Sequence, residues 1–345
     1  MRNILFITKY PIEGPSSRYR VYQYIEYLEE KNYNCTVKPL MNSDLYKNIY
    51  LNNNSSLKNI FLRIYTEFKK TFTNLSAKDY DVIIIQKEIT PWGINPFFLN
   101  KYKDKIIFDF DDAIFLKKSR EVYMAYILKK VNSVIAGNDY LKEYATKYNN
   151  VTTIIPTPID LKKYGDRKIH KEKDNIVIGW VGTKSNLKYI DRIKELIISL
   201  NNSYNITLEI VSNGKYQLED KDINIINKSW SLEDEIRDIK SFDIGIMPLE
   251  DDEWTKGKCA FKAIQYMGLG IPTVSSNVGF NKEVIDNSKD GFLVTNQKEW
   301  KNKVELLIND VKLRNEIGTA ARKKVEGHYS VQANLPKLID AIEKI

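Results

Sequence analysis

Two segments of this sequence place a glycine and basic residues directly after an apolar run. In the first, Ile12–Arg20, Gly14 permits a tight turn, and Ser16 or Ser17 is suited to cap the helix that follows. Arg18 is then expected near the end of the preceding strand. Because free backbone N–H groups at a helix start attract anions, the segment favours a phosphate-binding loop. An ordinary helix cap with solvent-facing arginines is the alternative, and the spacing is not the G-x-G-x-x-G of dinucleotide-binding loops.

The second segment is Ile178–Ile190, in which a buried strand is predicted to end at Gly182. A helix is expected to begin near residue 185, with Lys184 and Lys188 beside its first turn. Ammonium groups next to free backbone N–H groups form another anion-binding arrangement. By itself this pattern is weakly specific.

The most informative basic pattern is a predicted helix at Lys258–Gly268, which follows a buried strand and a polar loop. On that helix Lys258, Lys262 and Gln265 are spaced i, i+4 and i+7, which predicts that they share one polar face. Two lysines and an amide near a helix start suit a diphosphate and a ribose. The alternative is a surface amphipathic helix whose lysines are merely solvated.

An acidic cluster ends a third apolar run, in the sequence IIFDFDDAIF. Asp109, Asp111 and Asp112 are costly to bury without partners, so their position at a predicted strand end indicates a site. Carboxylates in this pattern can bind Mg²⁺ or Mn²⁺ with a diphosphate, or accept hydrogen bonds from sugar hydroxyls. We favour the sugar contact over the metal. The remaining alternative is a solvated loop in which one aspartate caps the next helix.

Alternating strands and helices must position these groups, and such alternation predicts parallel sheets covered by helices on both faces. The predicted strands are Ile4–Thr8, Cys35–Lys38, Asp81–Ile85, Ile106–Phe110, Ser133–Ala136, Thr152–Ile155, Ile176–Val181, Thr207–Val211, Ile223–Ile226, Ile244–Met247, Thr273–Ser275 and Phe292–Val294. Helices are predicted between them, including an apolar stripe within residues 57–68 and a helix at Ser231–Lys240. A polar stretch, Lys162–Asn175, is the predicted linker between two doubly wound domains. In such sheets, ligands bind at the carboxyl ends of the strands.

Composition narrows the classes of protein. The 345 residues carry a net charge of +8 without long basic blocks, which suits an anionic partner but equally a mildly basic solvated surface. Cys35 and Cys259 lie far apart, so a disulfide framework or zinc site is not expected and a reducing cytoplasm is. His170 and His328 lie outside the candidate loops, which argues against a Ser/His or Cys/His nucleophile. The apolar N-terminus is interpreted as a strand, and no run is long enough to span a membrane.

The segment from the predicted helix onward carries a family resemblance. The run MGLGIPTVSS, followed by NVGFNKEVI and DGFLV, resembles the C-terminal donor-binding domain of family 4 retaining glycosyltransferases, which have the GT-B fold. That family has two glutamates separated by seven residues. Alignment on Met267–Pro272 places the second, which bonds the donor ribose, at Gln265 and the first at Gly257. Neither acid is kept in this sequence, which resembles a variant branch.

The resemblance extends over most of the chain. Gly14 and Arg18 fall in the family's glycine-rich loop near the donor phosphates, and Asp111 replaces a histidine that touches the donor sugar. Lys188 matches a phosphate-contacting lysine, whereas an arginine expected near Thr183 is missing. Glu283 matches a glutamate beside the donor, and the last helix is expected to return to the first domain. Together, the residue patterns and the resemblance predict three catalytic residues, Lys258, Asp111 and Arg18. They also predict eight donor-binding residues: Gly14, Gly182, Thr183, Lys184, Lys188, Lys262, Gln265 and Glu283.

The predicted fold is therefore α/β, with two facing Rossmann-like domains at residues 1–160 and 161–330 and a helix at residues 331–345 that packs back on the first. The resemblance implies transfer from a nucleotide diphosphate sugar to a glycan or lipid-linked acceptor, with no cofactor and no metal. We expect a cytoplasmic protein, with peripheral contact to an anionic membrane left open. A GT-B-fold sugar epimerase is one alternative. A basic nucleic-acid-binding protein is another, against which the absence of basic blocks and of a known binding module counts.

Overall fold

The computed structural model describes residues 1–51, 77–87, 96–218 and 223–345. The chain forms two compact units, one of Met1–Pro158 with Asn334–Ile345 and one of Ile159–Ala333. The apolar stripe predicted within residues 57–68 lies outside the described residues.

The first unit is built on a six-stranded sheet in the order β2-β1-β3-β4-β5-β6, in which every neighbouring pair is parallel. Its strands are β1 (Arg2–Thr8), β2 (Tyr33–Pro39), β3 (Val82–Gln86), β4 (Ile106–Phe110), β5 (Ser133–Ala136) and β6 (Thr152–Ile154). Its α-helices are α1 (Pro15–Arg20), α2 (Ile25–Glu29), α3 (Ser43–Tyr46), α4 (Pro96–Tyr102), α5 (Lys118–Lys130) and α6 (Asp139–Thr146). Strands β3 and β4 are buried along their whole length, as expected of a parallel sheet covered on both faces.

The second unit repeats this plan with the order β12-β11-β10-β7-β8-β9, again all parallel. Its strands are β7 (Ile176–Val181), β8 (Ile206–Ser212), β9 (Ile225–Ser229), β10 (Ile244–Met247), β11 (Thr273–Ser276) and β12 (Phe292–Val294). Its α-helices are α7 (Leu161–Tyr164), α8 (Lys194–Asn201), α9 (Glu235–Lys240), α10 (Glu253–Lys256), α11 (Phe261–Gly268), α12 (Asn281–Val284), α13 (Gln297–Asn309) and α14 (Val311–Lys324). A 3₁₀ helix at Lys184–Ile193 follows β7, and a final helix, α15 (Val331–Glu343), ends in the first unit.

The strand orders determine where each sheet can bind a ligand. In the first unit the order reverses between β1 and β3, and in the second between β7 and β10. The loops that leave such a pair of strands diverge to opposite faces, which opens a crevice at their carboxyl ends. The loops after β1 and β3, and after β7 and β10, therefore define one candidate site in each unit.

Two predicted helix starts are wrong. The helix predicted at Lys258–Gly268 begins at Phe261, and the helix predicted at Ser231–Lys240 begins at Glu235. In the first case Ala260 adopts a left-handed conformation with φ of 50°, which an α-helix cannot continue through. Lys258 therefore precedes the helix.

The predicted linker, Lys162–Asn175, packs on the second unit. The ammonium of Lys168 donates to the carbonyl of Phe242 at 2.6 Å and to a carboxylate oxygen of Asp243 at 3.0 Å. His170 is buried, with its Nε2 3.1 Å from the carbonyl oxygen of Gly270. The polar composition of this stretch thus reflects ion pairing with the unit that follows it.

Candidate functional site

The loop after β7 is shaped by Gly182, one of the predicted donor-binding residues. A Cβ at this position would lie 2.5 Å from Cη2 of the buried Trp180 and 2.8 Å from Cε of Lys262. No side chain fits there without displacing the indole, so only glycine lets the chain pass this close. The Lys262 ammonium lies over the Trp180 ring, 5.4 Å from its centroid. The glycine thus brings the β7 loop and the first turn of α11 together.

A cationic cluster forms where the loops after β7 and β10 meet. Lys258 Nζ lies 3.4 Å from both Asn186 Oδ1 and Tyr189 Oη, and 4.6 Å from the centroid of the Tyr189 ring. Lys188 Nζ lies 5.2 Å from the same centroid. Burial, followed by the carboxylates of Asp252 and Glu250, raises the pKa of Tyr189, which keeps the phenol neutral. Two ammonium groups therefore share one aromatic ring, an arrangement that favours an added anion.

The charges of Lys258 and Lys188 both lower the pKa of one acid, Asp252. Its side chain caps α10 by accepting the Thr255 N–H at 2.6 Å. Although burial opposes the effect, the Thr255 hydrogen bonds, and then the charges of Lys258 and Lys188, hold the pKa of Asp252 below its ordinary value. One carboxylate fixed in a cap offsets part of the positive charge of the cluster.

The predicted polar stripe of Lys258, Lys262 and Gln265 is not present as one helix face. Lys258 lies in the turn between α10 and α11, where its N–H donates to the Thr255 carbonyl at 3.1 Å. Gln265 is 2% exposed and its amide nitrogen donates to Tyr164 Oη at 3.1 Å. Because Lys258 precedes the helix and Gln265 is buried in the core of the unit, the prediction that the three residues share one polar helix face is wrong. Lys262, which was predicted one turn into the helix, lies in its first turn.

The start of the 3₁₀ helix holds two further predicted residues. Thr183 precedes it, with its hydroxyl 3.1 Å from that of Ser185. Lys184 is its first residue, and its N–H donates to Asn213 Oδ1 at 2.7 Å. The helix therefore begins one residue earlier than expected, and its first N–H group is satisfied by a side chain from the loop after β8.

Glu283 lies on α12 and is exposed to solvent. The loop just before this helix, called here the Glu283 loop, packs against α10, the helix that precedes Lys258. Gly279, at φ of 49°, has left-handed backbone geometry, and a Cβ there would lie 2.9 Å from Cα of Lys256 and 3.0 Å from the Thr255 carbonyl. Glycine is required at this contact both by conformation and by space. The contact brings the Glu283 loop to the turn that carries Lys258.

In the first unit, Gly14 itself is the residue that precedes α1, and neither serine caps the helix. Instead both serines bind Gln86, the last residue of β3. Ser17 Oγ donates to Gln86 Oε1 at 2.9 Å, and Gln86 Nε2 donates to Ser16 Oγ at 2.9 Å. The prediction of a serine cap is therefore wrong, because the hydroxyls face the strand ends. Gly14 is needed since a Cβ there would collide with that of Tyr10.

Arg18 is buried and directed back toward its own loop. Its Nη1 donates to the carbonyls of Ile12 at 3.3 Å and Glu13 at 3.1 Å, and its guanidinium lies 4.7 Å from the centroid of the Tyr19 ring. These bonds hold the loop after β1 closed on α1. The expected projection of Arg18 at the strand edge is thus replaced by a loop-stabilising role in this structure.

The three aspartates have separate partners. Asp109 forms a buried, two-pronged ion pair with Arg20. Asp111 accepts from Ser16 Oγ at 3.0 Å and lies 3.2 Å from Lys87 Nζ, which also pairs with Asp112. Although burial works against it, Asp111 and Asp112 raise the pKa of Lys87 above its ordinary value. Among the described residues, no three His, Cys, Asp or Glu side chains are arranged to hold a metal ion.

Sequence reasoning missed Lys87, the cation of this cluster. It follows β3, which pairs with β4 in parallel, and parallel strands end at the same edge of a sheet, so Lys87 lies beside the end of β4. Lys87 has a left-handed backbone conformation, with φ of 59°, so the chain leaves the strand direction at this residue. Arg20 was likewise visible as the second arginine of its segment, but the distance of 89 residues to Asp109 hid the pairing.

Solved structures with the same two-unit architecture include a glycosyltransferase and a protein that binds UDP-glucose. A glycosyltransferase from Rickettsia africae superposes with a TM-score of 0.73 at 15% identity, covering 99% of this chain and 98% of that one. Anabaena Alr3699/HepE, solved in complex with UDP-glucose, superposes with a TM-score of 0.69 at 13% identity over the whole of both chains. These likenesses concern the fold, and the predicted α/β fold of two Rossmann-like domains, GT-B, is confirmed.

Residues 163–324 match the sequence model of the family glycosyl transferases group 1. This segment, which includes the cationic cluster, is therefore similar in sequence to that family. Among curated relatives, the capsular polysaccharide biosynthesis glycosyltransferase CapM of Staphylococcus aureus is 24% identical over an alignment of 246 residues that covers 62% of this chain. The match spans 63% of the length of that relative.

Proposed function

We propose that this protein is a retaining glycosyltransferase that moves a sugar from a nucleotide diphosphate sugar to a glycan or lipid-linked acceptor. The observation that carries the proposal is the cationic cluster of Lys258 and Lys188, together with Lys262, at the strand-order reversal of the segment that is similar to group 1 glycosyl transferases. UDP-glucose in the complex with Anabaena Alr3699/HepE, and the capsular polysaccharide role of CapM, indicate the substrate class.

In this proposal the diphosphate of the donor binds at the loops after β7 and β10. The ammonium of Lys258, held by Asn186 and Tyr189, would offset the charge that grows on the diphosphate as the glycosidic bond breaks. Lys188 and Lys262 would contribute to binding. The leaving phosphate would accept the proton of the acceptor hydroxyl, as the family resemblance implies, so the mechanism needs no additional base.

The proposal gives Gln265 and Asp111 smaller parts than the family pattern does. Gln265 supports the site through its hydrogen bond with Tyr164, whereas Asp111, fixed by Ser16 and Lys87, retains carboxylate oxygens suited to sugar hydroxyls. We place the reaction in a reducing compartment, the cytoplasm, because Cys35 and Cys259 lie far apart in the sequence and suggest no disulfide framework.

Nucleoside diphosphates are expected to stabilise the protein against heat. A ligand that binds only the native state at 100 times its Kd contributes about 2.7 kcal/mol, which corresponds to a rise in Tm of roughly 5–10 °C for a domain of this size. The measurement is a thermal-shift series with UDP, GDP, ADP and CDP and their sugars. Nucleosides without phosphate serve as the control. A flat response to every diphosphate would remove the basis of the proposal.

Sugar transfer is expected to proceed without a divalent metal. The lysines of the second unit supply positive charge for the diphosphate, and the carboxylates of Asp111 and Asp112 are engaged with Lys87. Activity measured after dialysis against EDTA should stay within about twofold of the untreated enzyme, because protein groups provide the electrostatic term. Loss of activity in EDTA with recovery in Mn²⁺ or Mg²⁺ would show the aspartates to be metal ligands.

A further inference from the structure

The first unit exposes large apolar side chains on one part of its helical layer. Val122 of α5 is 81% exposed and Phe97 of α4 is 67% exposed, while Leu116, just before α5, is 40% exposed. Helix α5 buries its opposite side through Met124 and Ile127. These outward apolar groups contribute nothing to the described core, and exposed apolar groups that lie together mark interaction sites.

The topology brings these residues to the same end of one layer. Strands β3, β4 and β5 lie side by side in the sheet in the same order as in the chain. Right-handed crossovers between them therefore put α4 and α5 on the same face of the sheet. Both helices start from the carboxyl ends of their strands. Phe97 lies in the first turn of α4, and Val122 lies one turn into α5. The apolar side chains therefore lie beside the edge that carries Ser16 and Asp111.

Basic residues surround them. Residues 96–130 contain eight Lys and Arg residues, and outside the DFDD segment their only acids are Asp104 and Glu121. Lys117, Lys118 and Lys129 are exposed, and Lys118, Val122 and Lys129 are spaced i, i+4 and i+11 along α5. That spacing keeps them on one helix face, over a length of about 16 Å.

We propose that this α4–α5 face binds an anionic lipid bilayer. It comprises Phe97, Leu116, Lys117, Lys118, Val122 and Lys129. Separated apolar side chains bordered by lysines suit the interface of a bilayer, where the apolar groups enter the acyl boundary and the ammonium groups remain among anionic headgroups. Each lysine near such a surface adds attraction that salt screens.

The face would also orient the enzyme. Because its apolar end lies beside the carboxyl edge of the first sheet, bilayer contact would hold that edge close to the headgroups. A lipid-linked acceptor could then reach the Ser16–Asp111 region without leaving the membrane. This consequence rests on the proposed function, whereas bilayer binding itself does not.

The test is co-sedimentation of the full chain with vesicles, without nucleotide or acceptor. Vesicles of phosphatidylcholine are compared with vesicles in which about one third of the lipid is phosphatidylglycerol. We expect binding to the anionic vesicles alone, weakened by high salt. Replacing Lys117, Lys118 and Lys129 by glutamate should weaken it at least about tenfold, because each lysine near the surface contributes separately. Val122→Asp combined with Phe97→Ser should have an effect of about the same size, because it removes the inserted groups.

The control variant replaces three exposed lysines of the second unit, Lys298, Lys312 and Lys323, by glutamate, which changes net charge equally. It should bind nearly as wild type does. Equal weakening by both charge-reversed variants would mean that net charge alone attracts the protein, and would overturn the proposal. So would loss of self-association in Val122→Asp/Phe97→Ser with unchanged vesicle binding, since the face would then bind a second copy. Thermal shift with nucleoside diphosphates tests the donor site separately.

Discussion

Replacing Lys258 by alanine is expected to lower kcat by about 10²–10³-fold while leaving Tm within a few degrees of wild type. The side chain is only partly buried and lies in a turn, so little of the core depends on it. Its ammonium lies 3.4 Å from both Asn186 Oδ1 and Tyr189 Oη, at the meeting of the two loops. A charge that acts on the leaving group as it forms is commonly worth about 2–4 kcal/mol in the transition state.

The matched control is Lys256→Ala, two residues earlier, where the ammonium pairs with Glu253 at 2.6 Å on an exposed surface. That change should leave kcat nearly unaltered. Lys262→Ala should raise KM more than it lowers kcat, because its ammonium lies over Trp180 and not with Tyr189. The measurement is steady-state transfer kinetics with the donor identified by thermal shift. Equal, small effects for all three lysines would place the diphosphate elsewhere.

Replacing Arg20 by alanine is expected to reduce the free energy of unfolding of the first unit by about 3–5 kcal/mol. Arg20 and Asp109 are both buried, and removal of the guanidinium leaves an uncompensated carboxylate. The change also removes the bond from Arg20 Nη1 to the Ile155 carbonyl. Denaturant titration with a probe confined to the first unit gives the measurement.

The loss of unfolding free energy in Arg20→Ala should increase as pH rises. Burial already raises the pKa of Asp109, and without the opposing guanidinium the folded-state pKa rises further above that of the unfolded chain. The deficit of the variant relative to wild type is then smallest below the unfolded-state pKa of Asp109 and grows as pH rises from there toward the folded-state value. Adding Asp109→Asn should recover much of the loss at neutral pH. A deficit that is the same at every pH, and unchanged in the double variant, would contradict the ion-pair explanation.

Most of the fold could be predicted from the sequence because parallel strands buried on both faces are nearly continuous apolar runs. Five strands were predicted with the bounds that the structure has: Ile106–Phe110, Ser133–Ala136, Ile176–Val181, Ile244–Met247 and Phe292–Val294. Helix starts were less predictable. Ala260 carries a left-handed conformation that glycine or asparagine usually signals, so the periodicity from Lys258 to Gln265 suggested an unbroken helix.

The loops of the candidate site could be located, but the direction of several side chains could not. Arg18 and Arg20 are two residues apart in one short helix, yet the first binds its own loop and the second reaches Asp109. The choice is made by tertiary contacts, because a buried aspartate on β4 competes with solvent for the guanidinium. Gln265 is similar, because its spacing from Lys258 and Lys262 predicted a shared polar face. Instead, its hydrogen bond with Tyr164, from a distant segment, holds it in the core.

The first unit is discontinuous in the chain, and this has a consequence for synthesis on the ribosome. Residues 334–345 close it, and Arg2 Nη1 donates to the carbonyl of Ile342 at 3.1 Å. The whole of the second unit must be translated before those residues appear, a delay on the order of ten seconds or more at usual elongation rates. The second unit can thus complete its core while the nascent first unit still lacks its closing helix. During that interval a chaperone would meet the surface of the first unit that this helix later covers.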